Sequence, residues 1–156
     1  MKKKIDFNYD ADTGHTIATL TTEYNTFIGE AQIHPDDPFR PSYSIGMDIA
    51  EARAKIQMYN QRIRDKKIEM KGLERLLCAI PKEKKNRHYA ENLYLAMCNE
   101  LDQLYQSKFA EQSKIKEVIR AREIYIRSRS TSKEDKEEFA KKIQLAFDAL
   151  NKDKTD

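Results

Sequence analysis

Residues 45–80 read IGMDIAEARAKIQMYNQRIRDKKIEMKGLERLLCAI, and the spacing within them decides the fold. Ile45, Ile49, Ala52, Ile56, Tyr59, Ile63, Lys66, Met70, Leu73, Leu77 and Ile80 alternate steps of four and three residues, and ten of these eleven are apolar or aromatic. A 3.5-residue period marks one long helix lying along a partner helix. At 1.5 Å per residue the helix spans roughly 54 Å. Lys66, the one charge in the stripe, is placed to fix the pairing register rather than to bind a ligand. Gly72 is the weak point of the helix, costing about 1 kcal/mol relative to Ala.

Downstream, Pro81-Lys-Glu-Lys-Lys-Asn-Arg87 interrupts the pattern and is polar enough to be a hairpin tip. A second helix follows, from about Tyr89 to Arg127. Its stripe is Ala90, Tyr94, Met97, Leu101, Leu104, Lys108, Glu111, Ile115, Val118, Arg122 and Tyr125. Two stripes of similar length joined by a short connection make an antiparallel αα-hairpin. A turn centred near residue 84 sets Tyr59 and Ile63 against the polar gap at Lys108 and Glu111, unless Phe109 rotates in to fill it. Ser128-Arg-Ser-Thr-Ser132 reads as a helix break, and Ser128 to Thr131 also as a phosphorylation target. Thr131 with Glu134 then caps a short third helix carrying Phe139, Ile143, Ala146, Phe147 and Leu150.

Upstream, Ile5, Phe7 and Tyr9 alternate with polar residues, and Asp10 to Gly14 supplies turn chemistry. A Thr-rich second strand runs from His15 to about Glu23, and Tyr24-Asn25 reads as a two-residue hairpin turn with Asn at positive φ. The third strand, Thr26 to Ile33, places Phe27, Gly29, Ala31 and Ile33 on one face. Three strands need a covering helix. Between strand and helix lies His34-Pro-Asp-Asp-Pro-Phe-Arg-Pro41, stiffened by its prolines, after which Ser42 or Ser44 can cap the helix.

The expected fold is therefore α+β. An N-terminal three-stranded antiparallel β-meander packs on a long, coiled-coil-like antiparallel αα-hairpin, followed by a short C-terminal helix. The expected division is 1–41 for meander and Pro-rich loop, 42–129 for the hairpin with its turn near 81–87, and 130–156 for the C-terminal helix and a frayed tail, all in a single domain. A chain of 156 residues, 39% apolar and 35% charged, suits helices packed in pairs better than a thick α/β core. The net charge of +3, from 29 basic and 26 acidic side chains, is too balanced to argue nucleic-acid binding alone. No run of about 18 apolar residues exists, so no membrane partner is expected. Met1-Lys-Lys-Lys-Ile5 leads into a strand rather than a signal-peptide core. Cys78 and Cys98 read as free, buried thiols, and the location as cytoplasmic.

The candidate chemistry is sparse. Asp10, Asp12 and Gly14 lack the spacing and closing carboxylate of a calcium loop. His34, Asp36 and Asp37 form a compact group that reads first as a capped, Pro-rich turn; a divalent site would need Asp48 or Glu51 as well. No nucleophile elbow and no phosphate-cradling glycine loop occurs, so neither an enzyme nor a cofactor is expected. Basic clusters are the stronger signal. They are Lys82, Lys84, Lys85 and Arg87 at the tip; Arg62, Arg64, Lys66 and Lys67 along the first helix; and Arg120, Arg122, Arg127 and Arg129 around Tyr125. Arg with Tyr suits phosphate contacts and base stacking. The ordinary alternative is a solvated face balanced by Glu117, Glu123 and the acidic residues after Lys133.

Phe27-x-Gly29-x-Ala31-x-x-His34-Pro35-Asp36-Asp37-x-Phe39, followed by Gly46-x-x-Ile49-Ala50-Glu51-x-Arg53-Ala54, resembles small proteins encoded by phages and prophages of Gram-positive bacteria. These pair a short meander with a helix entered through a His-Pro-Asp-Asp loop. The resemblance covers residues 27–54 and implies a non-enzymatic phage or prophage protein, anti-CRISPR-like, that inhibits a host defence system. Its partner would be a host defence protein or a nucleoprotein effector. The resemblance carries no contact residues beyond the loop and Arg53; the basic clusters supply the expected ones, Lys82, Lys84, Lys85 and Arg87 at the tip and Arg120, Arg122 and Arg127 along the arm. The alternatives are direct nucleic-acid binding, or an oligomeric sponge for a nucleotide immune signal, with a homodimer pocket near His34, Asp36, Asp37 and Arg53. Arg53, two turns into the helix, equally fits a structural clasp on a loop carboxylate.

Overall fold

The computed structural model describes residues 2–32 and 43–152, with side chains at 2–32 and 45–124 and at scattered positions beyond. The order is β1 (Lys4–Asp10), β2 (His15–Thr21), β3 (Thr26–Gln32), α1 (Tyr43–Ala79) and α2 (Lys85–Lys152). The chain falls into two compact units, Met1–Lys116 and Glu117–Asp156.

The three strands form one antiparallel sheet in the order β1-β2-β3, as the alternation in the sequence requires. Ile5, Phe7 and Tyr9 of β1, Thr16, Ala18 and Leu20 of β2, and Phe27, Gly29 and Ala31 of β3 share the face toward α1. At the first turn, Asp10 Oδ1 accepts from Asp12 N–H at 3.0 Å, and Gly14 takes φ 67°. The second turn differs from the two-residue expectation. Residues 22–25 form a four-residue loop, and no non-glycine residue among those described has positive φ. The Thr22 hydroxyl closes this loop, donating to Asn25 O at 2.9 Å and accepting from Asn25 N–H at 3.1 Å. That side-chain bridge removes the need for a left-handed Asn.

α1 is the middle layer of the first unit, and it uses two opposite faces. All eleven stripe positions from Ile45 to Ile80 are buried or half-buried, as are Ala90 through Ile115 of the facing stripe. The hairpin is antiparallel. Tyr94 Oη donates to Glu74 at 2.7 Å, Lys66 meets Glu100 at 2.6 Å, and Lys55 meets Glu111 at 3.9 Å, each pair straddling the 80–84 connection evenly. Lys66 bridges Glu69 and Glu100 in the seam, the register role read from its position. Phe109 does not fill the polar gap; it stays 57% exposed and stacks on Tyr105, while Lys108 and Glu111 occupy the seam.

The other face of α1 carries Gly46, Ala50, Ala54 and Met58 at four-residue spacing, and this face receives the sheet. A Cβ on Gly29 would strike the main chain of α1 at Ala50 and Ala54, and a Cβ on Gly46 would come within 2.8 Å of Thr16 Oγ1. The core of Ala18, Leu20, Ala31, Ala50, Ala54 and Met58 is thus built on main-chain contact. Leu20 and Met58 are its largest fully buried apolar side chains, each contributing roughly 2 kcal/mol by burial.

Two expected features are corrected. α2 runs through Ser128-Arg-Ser-Thr-Ser132 without a break, so there is no separate third helix, and Thr131 lies inside a helix rather than at its cap. That stretch holds no Gly or Pro, and Ser and Thr cost only tenths of a kcal/mol each in a helix interior. The hairpin connection is also shorter than 81–87, because Lys85 and Arg87 belong to the first turn of α2. Ser44 lies inside α1, and the Pro-rich loop with Ser42 falls outside the described residues.

Candidate partner-binding surface

At the tip, α1 ends at Ala79 just before Pro81, since proline cannot continue the ladder. Arg87 then folds back on it. Its Nη1 donates to Ile80 O at 2.9 Å and to Leu77 O at 3.3 Å, while Nε holds Glu91 at 3.0 Å. Helix carbonyls at a C-terminus lack internal partners and carry partial negative charge, so a guanidinium there is a cap. Arg87 is therefore only half-buried and internally committed, not a free contact residue.

The other three tip cations differ. Lys82, Lys84 and Lys85 are exposed, and among the described residues no ion pair holds them. Glu83 lies between them, and His88 and Tyr89 follow on the first turns of α2, with Tyr89 74% exposed. The tip thus presents three solvated ammonium groups beside an unpartnered aromatic ring. Such a surface suits an anionic partner that also offers something flat or apolar.

Several other cations of the first unit, Lys55, Lys66 and Lys67 among them, are tied into the fold. For Lys66, the hydrogen bond to Glu100 is the largest influence and raises its pKa, with Glu69 adding to it. Burial works to lower the Lys55 pKa, but the hydrogen bond and charge of Glu51, with Glu111 behind, outweigh it and leave the value raised. Lys3 moves the other way: burial lowers its pKa, and the positive charges of Arg62 and Lys55 lower it further. Lys67 stands 5.5 Å over the Tyr105 ring. Glu111 Oε2 is buried without a hydrogen-bond partner, a cost left inside the seam.

Two open grooves flank α1. One, of about 570 Å³, lies between the helices and is lined by Tyr59, Arg62, Asp65, Lys66, Glu100 and Gln103 among others. Its mixed charges are largely paired, as Lys66 shows. The other, of about 730 Å³, lies between β3 and α1, with Ile28, Arg53, Ile56, Gln57 and Asn60 along it. There Arg53 Nη1 donates to the main-chain oxygen of Glu30. This bond to β3 is the clasp that the described residues show. His34, Asp36 and Asp37 lie outside them, so the loop end of the expected ligand group is not described.

In the second unit Arg120 is exposed, Arg122 is half-buried and engaged, and the Arg127 side chain is outside the described ones. The seven expected contact residues are thus divided between the two units, Lys82, Lys84, Lys85 and Arg87 in the first and Arg120, Arg122 and Arg127 in the second. Cys78 is exposed and Cys98 half-buried, both free, which corrects the reading of two buried thiols. Among the described residues no three His, Cys, Asp or Glu side chains gather around a point where an ion could sit. No helix among them is long and apolar enough to cross a membrane. Comparison with protein-family models, curated proteins and solved structures returned no match. Sequence reasoning missed the sheet-facing stripe Gly46, Ala50, Ala54, Met58, although its run of small residues was the available signal.

Proposed function

We propose that this chain is a non-enzymatic phage or prophage protein that inhibits a bacterial defence system in an anti-CRISPR-like manner. It acts by binding a nucleoprotein effector through the tip of its helical hairpin. The observation that carries this reading is the contrast among cations. Arg87, Lys55 and Lys66 are spent on internal partners, whereas Lys82, Lys84 and Lys85 are left solvated at the end of the hairpin beside Tyr89. Leaving like charges clustered and unpaired gains the fold nothing, but it speeds encounter with an anionic surface.

The test is an interference assay in a Gram-positive host whose CRISPR effector destroys an incoming phage. Wild-type protein is expected to restore plaques. The variant Lys82→Glu, Lys84→Glu, Lys85→Glu is expected to lose that protection while keeping the wild-type melting temperature. Equal protection by both proteins, or none by either, refutes the tip mechanism. A gel shift of free duplex DNA would instead support direct nucleic-acid binding, with affinity falling steeply in salt.

A second reading, a sponge for a nucleotide immune signal, draws on the groove at β3. There a guanidinium (Arg53) stands beside two amides, Gln57 and Asn60. It requires a rise in melting temperature with a cyclic nucleotide and none with duplex DNA.

A further inference from the structure

Among the described residues β3 is an edge of the sheet, and the ladder fixes which of its groups face outward. Thr22 N–H donates to Asn25 O, so the pairs in step with it (Leu20↔Phe27, Ala18↔Gly29, Thr16↔Ala31) exchange the β2–β3 hydrogen bonds. Thr26, Ile28, Glu30 and Gln32 then turn their N–H and C=O groups away from the sheet. The Arg53 bond to Glu30 O agrees with that assignment.

Single-copy proteins blunt such an edge with lysine, proline, bulges or a cover. The opposite edge follows the rule: β1 reads KIDFNYD, with three charges, and is preceded by Lys2 and Lys3. β3 reads TFIGEAQ. It has no Lys or Pro, pairs with β2 without a bulge, and its one charge, Glu30, is 3.3 Å from His15. Ile28, at its centre, is 50% exposed.

We propose that this edge is the interface of a homodimer. Two β3 strands pair antiparallel about a two-fold axis at Ile28 and join two three-stranded sheets into one continuous sheet. The occupant is a second copy because the strand is complementary to itself. Ile28 meets the partner's Ile28, Thr26 meets the partner's Glu30, and no like charges are opposed. The Ile28 pair exchanges both main-chain hydrogen bonds, the Glu30 oxygen accepts the partner's Thr26 N–H on its second lone pair beside the Arg53 guanidinium, and the apolar pair at the axis is covered.

Helix spacing supports the same geometry. α1 lies across β2 and β3, touching Thr16 through Gly46 and Gly29 through Ala50 and Ala54. With strands about 4.8 Å apart, the two α1 helices of such a dimer stand roughly 10 Å apart, the distance at which helices pack. The groove at Arg53, Ile56, Gln57 and Asn60 is the space they close, with the amides of Gln57 and Asn60 available to bond across the axis. The dimer does not depend on the tip reading, since Lys82, Lys84 and Lys85 take no part in it.

Sedimentation equilibrium of the full chain tests it, with amide exchange as the second measurement. Wild type is expected at about twice the 18.3 kDa of one chain, with the Thr26 and Glu30 amides protected from exchange. Ile28→Lys puts a charge at the axis, and Ile28→Pro removes an N–H that no bond inside the sheet uses. Both are expected to sediment as monomers with the wild-type far-ultraviolet spectrum, and their Glu30 amides to exchange freely. If Ile28→Pro does not fold, Ile28→Lys decides alone. A wild type that stays monomeric at every concentration overturns the proposal and leaves the edge to an extended peptide of another protein. A dimer that survives Ile28→Lys, or one whose Glu30 amide exchanges freely, overturns it as well and moves the interface elsewhere, such as to the helical seam.

Discussion

Gly29 and Gly72 are the same residue type put to opposite uses, and only the structure separates them. A Cβ at Gly29 would meet the main chain of α1 at Ala50 and Ala54, atoms that cannot swing aside. At Gly72 a Cβ meets nothing within 4 Å. Gly29→Ala is therefore expected to destabilise the fold by about 3 kcal/mol or more, because overpacking here must part the sheet from the helix. Gly72→Ala is expected to stabilise by up to about 1 kcal/mol, by restricting the unfolded chain and improving helix propensity. Urea denaturation of the two variants checks the pair, and equal effects would refute the packing argument. The sequence placed Gly29 correctly on a face with Phe27 and Ala31. Why that position is glycine was not legible there, because the reason is a helix more than twenty residues away.

Among elements, the seam of α1 was readable because a 3.5-residue period can be seen in one dimension. The sheet-facing side was not, because Gly46, Ala50 and Ala54 are too small to stand out as apolar, and their value lies in letting main chains touch. The length of α2 is hidden in the sequence for a related reason. Ser128 to Ser132 looks like a linker by residue type, yet nothing in it forbids helix, and cooperativity carries a helix across weak formers. The seam also predicts how stability depends on pH. The pKa of Lys66 is raised above its ordinary value by the hydrogen bond to Glu100, and that of Lys55 is raised by Glu51 and Glu111 against the effect of burial. A raised lysine stabilises fully below its unfolded pKa and loses that contribution as pH climbs through the folded one. Unfolding free energy should thus fall across the alkaline range, from about pH 10 upward. Lys66→Met should change stability at neutral pH by no more than about 1 kcal/mol, since an apolar residue suits the seam, and should make the alkaline decline shallower. Urea titrations at several alkaline pH values would show this, and an unchanged slope would remove Lys66 from the account.

At the scale of the whole molecule, what matters is where charge is left unspent. The sequence showed basic clusters but could not rank them, because an ion pair across a hairpin joins residues far apart in the chain. The structure removes Arg87 from the tip group by using it as a helix cap, and it puts Arg120 in a different compact unit from Lys82, Lys84 and Lys85. The two groups therefore need not serve one partner, and they can be tested apart in the full chain. Arg120 is exposed, so Arg120→Glu should leave the fold intact. Once a partner is in hand, that substitution is expected to change affinity by less than about threefold, within the range of an isolated rim charge. Reversing the three tip lysines is expected to weaken binding by about a hundredfold or more, roughly 3 kcal/mol, with most of the loss in the association rate at low salt. Surface plasmon resonance at two salt concentrations separates the cases. Raising salt should slow association of wild type and of Arg120→Glu alike, and should speed that of the tip variant, because screening weakens the repulsion between its three glutamates and an anionic partner. The opposite ranking would move the binding surface from the end of the hairpin to the later part of α2.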